Sequence, residues 1–335
     1  MNQPAPELSV IIVNWNVRDL LRRCLQSIVD SDALFIAAGA TGKPASRGPG
    51  WTAEVIVVDN ASSDDSVAML AREFPWVRVI ANSGNAGFTR GNNQGLAVSR
   101  GQYVLFLNPD TELAAGALQQ MLTYAAAQPQ VGIIGPQLRY GDGSLQSSRR
   151  RFPTLATFLL ESTVLQRWWP RNRVLSRYYM LDRPDDAVSE VDWVVGACML
   201  VRRAVLDQIG GFDEGFFMYS EELDLCHRAV TAGWRVIYLP AAVVTHYEGK
   251  SSEQVVAARH KRFYRSRVRY VRKYHGAAAA FIVHSFVLLT FVFQWLEEAA
   301  KWLAGFVIPA QRPQQPMRRE RMAAYADVLR SGLHE

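Results

Sequence analysis

Three carboxylates fall within four positions of the segment "GFFMYSEELDLCHRA": Glu221, Glu222 and Asp224. Like charges at this spacing repel, and where water is partly excluded they raise one another's pKa values. A carboxylate tuned in that way can take a proton from a hydroxyl near neutral pH. Acids at the start of a helix also complement its dipole, an alternative that suits Glu221 and Asp224. Phe216, Phe217, Met218 and Tyr219 lead straight into the acids, which is unlike an ordinary solvated surface.

Further candidates stand at the ends of apolar runs. Asp110 ends "LFLNPD", where a hard oxygen ligand can hold Mg²⁺ or Mn²⁺; it could equally cap a helix over "TELAAGALQQML". Asp59 ends "AEVIVVD" and begins a cap-rich turn, "NASSDDS". Trp15, between Asn14 and Asn16, is either core or a stacking surface for a flat base. His246 ends "AAVVTH". It is either a structural histidine or, downstream of the acids, a metal ligand.

These positions need elements to hold them. "LSVIIVNWN", "AEVIVVD", "VRVIAN" and "YVLFLNPD" read as buried strands. "VRDLLRRCLQSIVD" has the apolar spacing of a helix, and a second helix is expected to start near Ser62–Asp65. "NAGFTRGNNQGLAVSR" reads as a turn feeding a third. Strands alternating with helices predict an open, mostly parallel α/β sheet with right-handed crossovers. Ligands of such sheets bind beyond the C-terminal strand ends, where Trp15, Asp59 and Asp110 all fall. Gly39–Gly50 reads as a surface loop without the P-loop pattern, and residues 149–188 as a loop-rich segment over the site.

With 335 residues, 49% apolar and 20% charged, the chain reads as globular, in one large domain or two. The net charge of +6 comes from eight Lys or Arg between Arg259 and Lys273. The rest is near neutral, which argues against nucleic acid as a partner. Cys24, Cys198 and Cys226 lack metal or disulfide spacing and read as reduced cytosolic thiols. The first ten residues lack the pattern of a signal peptide.

Six pieces in order, "SVIIVNWN", "VIVVDNASSDDS", "NAGFTRGNNQG", "VLFLNPDTEL", "GACMLVRRAVLDQIGGFDEGFFMYSEELDLCHR" and "VVTHYEGKS", span roughly residues 8–252. Together they resemble family 2 glycosyltransferases, in particular rhamnosyltransferase-like bacterial members. The resemblance implies a GT-A fold, a nucleotide-sugar donor carried on UDP or dTDP, a divalent metal and inversion at the anomeric carbon. It assigns Trp15 to stacking on the donor base, Asp59 to a hydrogen bond with it, and Asn85, Gly87 and Phe88 to lining the donor site. Gly196 leaves room near the sugar. Asp110 is the metal-binding acid of the DxD motif, which here reads Asn108-Pro109-Asp110 and lacks its first acid. His246 matches a metal-ligand histidine of some relatives. Glu222 takes the place of the general base, beside Glu221 and Asp224.

Ala277–Leu296 contains no Asp, Glu, Lys or Arg and has about the length of a bilayer span. The basic block before it places the catalytic part on the cytoplasmic face of the inner membrane. A single span, a shallow helix or hairpin on the inner leaflet, and a helix packed internally or in a homo-oligomer all fit. Residues 1–255 are then the GT-A domain and 256–335 a basic and hydrophobic helical region. The expected activity is transfer of a sugar to a lipid-linked or polysaccharide acceptor. A membrane-bound scaffold with a degenerate transferase domain and a nucleotidyltransferase are the alternatives.

Overall fold

The computed structural model describes residues 5–31, 34–36, 50–247 and 256–333. The surface loop expected over Gly39–Gly50 lies outside them except for Gly50. The chain divides into two compact units. One comprises Met1–Phe152 and Tyr179–Ser251, the other Pro153–Tyr178 and Ser252–Glu335.

The first unit begins with β1 (Leu8–Asn14), α1 (Arg18–Val29), β2 (Leu34–Ile36), β3 (Trp51–Asp59), α2 (Ser66–Glu73) and β4 (Arg78–Ala81). Next come α3 (Phe88–Val98), β5 (Tyr103–Leu107), β6 (Thr111–Leu113), α4 (Ala117–Ala127), β7 (Val131–Arg139), β8 (Leu145–Gln146) and β9 (Arg149–Arg150). Beyond the break lie β10 (Ser189–Val191), β11 (Trp193–Val194), β12 (Cys198–Arg202) and α8 (Arg203–Ile209), then α9 (Glu221–Thr231) and β13 (Arg235–His246). The main sheet runs β10-β13-β7-β12-β5-β1-β3-β2, with β4 on β3, β6 on β13 and β8 on β7. β1 and β5 are buried along their whole length, as strands covered on both faces must be.

Strand order turns at β1, which pairs in parallel with β3 on one side and β5 on the other. This is the switch point at which an α/β sheet opens a crevice. The register sets Asn14 opposite Asp59 and Ile12 opposite Leu107. Trp15, Asp59 and Asn108 therefore leave the sheet at one edge. β12 departs from the parallel pattern: it runs antiparallel to both β5 and β7.

The helix after Asp59 starts at Ser66 with Asp65 as its N-cap, within the expected range, and the Asp64 carboxylate accepts there from the Arg18 and Ser66 backbone N–H groups. One local expectation changes. Asp110 caps no helix. Thr111–Leu113 is instead a strand, antiparallel to the end of β13, with Thr111 opposite His246, and the next helix begins only at Ala117.

α3 lies close on β1 because it carries glycines where it touches. A Cβ on Gly91 would come 2.9 Å from Val13 Cγ1, and one on Gly95 only 2.5 Å from Ile11 Cγ2. Cys24, Cys198 and Cys226 are buried free thiols. Burial pushes the first and last up to about 12.

The second unit holds α5 (Leu155–Leu160), α6 (Val164–Trp168) and α7 (Arg173–Tyr178), then α10 (Val256–Val307), a 3₁₀ turn (Pro309–Gln314) and α11 (Gln315–Ser331). The segment expected as loop over the site thus contributes three short helices to this unit. α10 is broken at Gly276, whose φ of 87° and ψ of 172° no helix contains. The Tyr264 and Phe291 rings, on either side of the break, meet edge to face at 5.2 Å, so the two arms fold back on each other. Phe158 packs on Tyr270 and Trp168 on Phe293. Arg267 pairs with Glu161, Arg167 with Glu297, and Arg318 and Arg321 with Glu298.

Gly95→Ala should lower the denaturant midpoint of the catalytic unit by an amount equivalent to about 1–3 kcal/mol, the usual cost of overpacking. Gly84→Ala, with nothing within 4 Å of the added methyl, should leave it in place. Equal midpoints for the two variants would mean that α3 can lift off β1 at no cost.

Candidate active site

The ends of β1 and β3 are knitted together by side chains. Asn14 Nδ2 donates to Asp59 Oδ2 at 2.8 Å and to Ser62 Oγ at 3.1 Å, while the Ser62 N–H donates to Asp59 Oδ1 at 2.8 Å. Asp59 is 1% exposed. Each of its oxygens already accepts one hydrogen bond that holds the turn, and each keeps a further acceptor site. Trp15, which leaves β1 beside this turn, is half-buried.

A second turn closes the same end of the sheet. Asn85 is exposed, and its Oδ1 accepts from the Gly87 N–H at 2.9 Å. Gly87 has φ +87°, and a Cβ there would lie 2.8 Å from the Phe217 ring and 2.9 Å from its carbonyl. No other residue combines that backbone with that approach. The Phe88 N–H donates to the Phe217 carbonyl at 3.0 Å, and Asn60 Nδ2 to the Gly87 carbonyl at 3.1 Å. The expected donor turn is thereby joined to the aromatic run that precedes the three acids.

β5 and β13 bring the two expected metal ligands together. His246 Nε2 stands 3.4 Å from Asp110 Oδ1, and His246 Nδ1 lies 3.0 Å from Gln146 Oε1 on β8. With Nδ1–H donated to Gln146, Nε2 keeps its lone pair toward Asp110, the arrangement typical of metal-ligating histidines. Asn108, in place of the first DxD acid, keeps its Oδ1 buried without a hydrogen-bond partner among the described residues. One carboxylate, one imidazole and a spare amide oxygen fit a hard divalent ion that takes its remaining ligands from a diphosphate. No group of three His, Cys, Asp or Glu stands close enough to hold an ion among the described residues.

The acid cluster opens α9. Tyr219 and Ser220 before it both have left-handed backbones, with φ of 71° and 64°. Two such non-glycine residues in a row store about 1–3 kcal/mol each, a feature concentrated at functional sites. The three acids then diverge in their surroundings. Asp224 is fully buried and bound to Arg228 at 2.8 Å, which also donates to the Ile209 and Gly211 carbonyls. Asp224 thus holds the loop after α8 rather than facing a substrate. Glu221 and Glu222 each keep a buried Oε2 with no hydrogen-bond partner among the described residues. Burial, followed by the charge of Glu222, pushes Glu221 well above the ordinary glutamate value. Burial raises Glu222 too, opposed by backbone N–H groups, including that of Gly196, and by the charge of Arg150.

Gly196 stands directly against the second acid of the cluster. A Cβ on it would come 3.2 Å from Glu222 Cβ and 3.4 Å from Cγ, so its missing side chain makes room for Glu222. The next residue ties this acid to the segment that carries Asp110, since the Ala197 carbonyl accepts from the Asn108 N–H at 2.8 Å. Gln146, Arg150 and Ala197 are absent from the sequence reading, and Phe217 enters it only as part of the aromatic run before the acids. Gln146 and Arg150 sit in "SLQSSRRRF", which has no periodicity to assign, and Ala197 and Phe217 act through backbone carbonyls that side-chain identity does not reveal. Arg150 is held over the Tyr179 ring at 4.6 Å, opposite Trp193 in the β9–β11 pair.

The chain has relatives among known sequences and structures. The profile described as Glycosyl transferase family 2 matches residues 9–210, and that of Glycosyl transferase family 21 matches residues 186–311. The chain is similar to the N-acetylglucosaminyl-diphospho-decaprenol L-rhamnosyltransferase of Mycobacterium tuberculosis, 32% identical over 77% of this chain and 82% of that one. It is also similar to the rhamnosyltransferase WbbL of Escherichia coli, 27% identical over 71% and 82%. A mannosyltransferase from Pyrobaculum calidifontis, solved with GDP-Man and Mn²⁺, shares the fold at a TM-score of 0.50 and 16% identity, over 97% of this chain and 87% of that one. The ordered strand ends, the acid cluster on α9 and the profile match over most of the first unit agree: the chain belongs to glycosyl transferase family 2.

Proposed function

We propose that this chain is an inverting, metal-assisted glycosyltransferase. In this reading it moves a rhamnosyl or related hexosyl unit from a UDP- or dTDP-sugar to a lipid-linked acceptor at the cytoplasmic face of the membrane. The observation that carries the proposal is the link from Glu222 through Gly196 and Ala197 to Asn108, two residues before Asp110. A desolvated base and a candidate metal pair thereby share one sheet end. The likeness to two rhamnosyltransferases supports the sugar, and the name of the mycobacterial one supports a lipid-linked acceptor.

The residues divide the work as follows. Trp15 and the Asn85–Phe88 turn receive the nucleotide. Asp110 and His246 would hold a Mg²⁺ or Mn²⁺ ion, with Gln146 fixing the imidazole. A divalent ion, when bound, supplies positive charge against the diphosphate as it departs. Glu222 takes the proton of the acceptor hydroxyl as its oxygen attacks the anomeric carbon from the side opposite the leaving group. Its raised pKa brings it closer to the operating pH, which favours a general base. Asp224 acts through Arg228 as a positioning residue. The inactive-scaffold alternative rests mainly on Asn108 in place of the first DxD acid, and Asn108 still presents an oxygen.

Protection from thermal unfolding by a panel of nucleotide-sugars, with and without Mn²⁺, tests the donor half. A metal-dependent shift with a UDP- or dTDP-sugar is expected, and no shift with any of them would refute the reading. Asp110→Ala and His246→Ala should each abolish the metal-dependent part of that shift.

Glu222→Gln should fold and bind donor but transfer sugar at least about a hundredfold more slowly. It should also be more stable than the parent. A carboxyl whose folded pKa is raised binds more protons folded than unfolded, so stability falls as pH climbs from the ordinary glutamate value toward the raised one. The penalty is fully present above the raised value and vanishes below the ordinary one. The stability gain of Glu222→Gln should therefore be largest at neutral to alkaline pH and shrink in acid, as read by melting temperatures across pH. Normal turnover, or a gain that grows in acid, would remove Glu222 from this role.

A further inference from the structure

α10 passes the length and composition test for a membrane span over His260–Val307. Its packing argues for a different relation to lipid. The break at Gly276 folds the apolar arm, 277–307, back along the basic arm, 256–275, with Phe291 beside Tyr264. Tyr264 sits among Lys261, Arg262, Arg265 and Arg267. An apolar arm crossing the bilayer would draw these charges into hydrocarbon with it, which is strongly unfavourable. Its far end is tied as well: Glu297 meets Arg167 at 2.9 Å, and Glu298 meets Arg318 and Arg321 at 3.3 Å.

Each arm has one face turned into the unit and one left outside. In the apolar arm Ala280, Val283, Val287 and Phe291 are buried. Phe281, Leu289, Leu296 and Leu303 are exposed, the first two by 71% and 65%. Spacings of seven and eight residues keep these four on one helix face. In the basic arm Arg265, Arg269, Arg272 and Lys273 are exposed along one face, and Tyr264, Arg267, Tyr270 and Val271 are buried. The exposed surface continues around the tip, from Arg272 and Lys273 through Gly276 to Phe281 and Ile282. No Asp or Glu occurs between Gln254 and Leu296. A large apolar face bordered by a basic one is the pattern of a helix lying in an anionic lipid interface.

We infer that α10 is a hairpin that docks in the plane of an anionic bilayer surface without crossing it, its apolar face at the acyl boundary and its basic face among the headgroups. The inference deepens the reading of a lipid-borne acceptor, and the two can fail separately. Donor protection and transfer to a water-soluble acceptor analogue test the transferase, whereas the measurements below test only the surface.

The full-length protein should sediment with vesicles of phosphatidylcholine and phosphatidylglycerol. Binding should fall at high salt without vanishing, since the apolar part is not screened. Phe281→Glu with Leu289→Glu, both exposed positions, should weaken it at least about tenfold. Arg265→Gln and Arg269→Gln should each cost roughly fivefold on anionic vesicles and little on zwitterionic ones. Sidedness separates docking from spanning, because the native cysteines are buried. With Asp142→Cys and Ser331→Cys, a membrane-impermeant maleimide should label both positions in inside-out membrane vesicles and neither in spheroplasts. Labelling from opposite sides would overturn the inference in favour of a span. A protein that stays in the supernatant and dimerises through Leu289 would overturn it in favour of a second copy on the apolar face.

Discussion

One strand reversal governs where everything in the site can stand. β12 runs against β5, and the pair ends with the Asn108 N–H donating to the Ala197 carbonyl. Because β5 is also locked to β1, this bond fixes two outgoing chain segments relative to each other. One leads through Asp110 to the antiparallel contact with His246. The other leads back through Gly196 to Glu222. A parallel β12 would deliver its other end to this edge, and the glutamate side chain would lose the space left by Gly196. Hydrogen-bonded strands are stiff, so groups mounted on their ends keep their separation without a dedicated scaffold.

The acid pair is expensive to keep. Glu221 and Glu222 sit where burial disfavours their charge, behind two left-handed residues, and each leaves an oxygen without a hydrogen-bond partner among the described residues. Nothing about folding asks for this, and an apolar pair of similar shape would be tolerated better. The surrounding sheet supplies the stability that offsets it. The third acid follows the opposite logic. Asp224 is even more deeply buried, but Arg228 neutralises it and spends its other donors on carbonyls of the preceding loop. Two neighbouring carboxylates thus differ in role through the partner each was given.

Much of this was legible in the sequence because strand ends are marked by composition. The β-branched runs stop at Asn14, Asp59, Leu107 and His246, and the parallel sheet follows from their alternation with helices. The meeting of Asp110 and His246 follows from both standing past such ends. Contacts made by backbone or by absent atoms were not legible. The packing of Glu222 against Gly196, and the hydrogen bonds of Asn14 and Ser62 to Asp59, become visible only in the structure. The strand at Thr111–Leu113 overrides a helical pattern because β13 offers it a ladder. The hairpin in α10 turns on Gly276, one residue whose backbone angle the flanking helical sequence does not disclose.

The claim on which the account depends is that the glutamate pair at the start of α9, with Glu222 as its reactive member, accepts the acceptor's proton. The pH dependence of kcat, measured at saturating donor, acceptor and metal, addresses it most directly. A pair that interacts this closely titrates as a unit. Turnover should therefore rise with pH on a limb whose apparent pKa lies clearly above the ordinary glutamate value of 4.5. A rate that is flat across that range, or a limb that stays at the ordinary value, would contradict it.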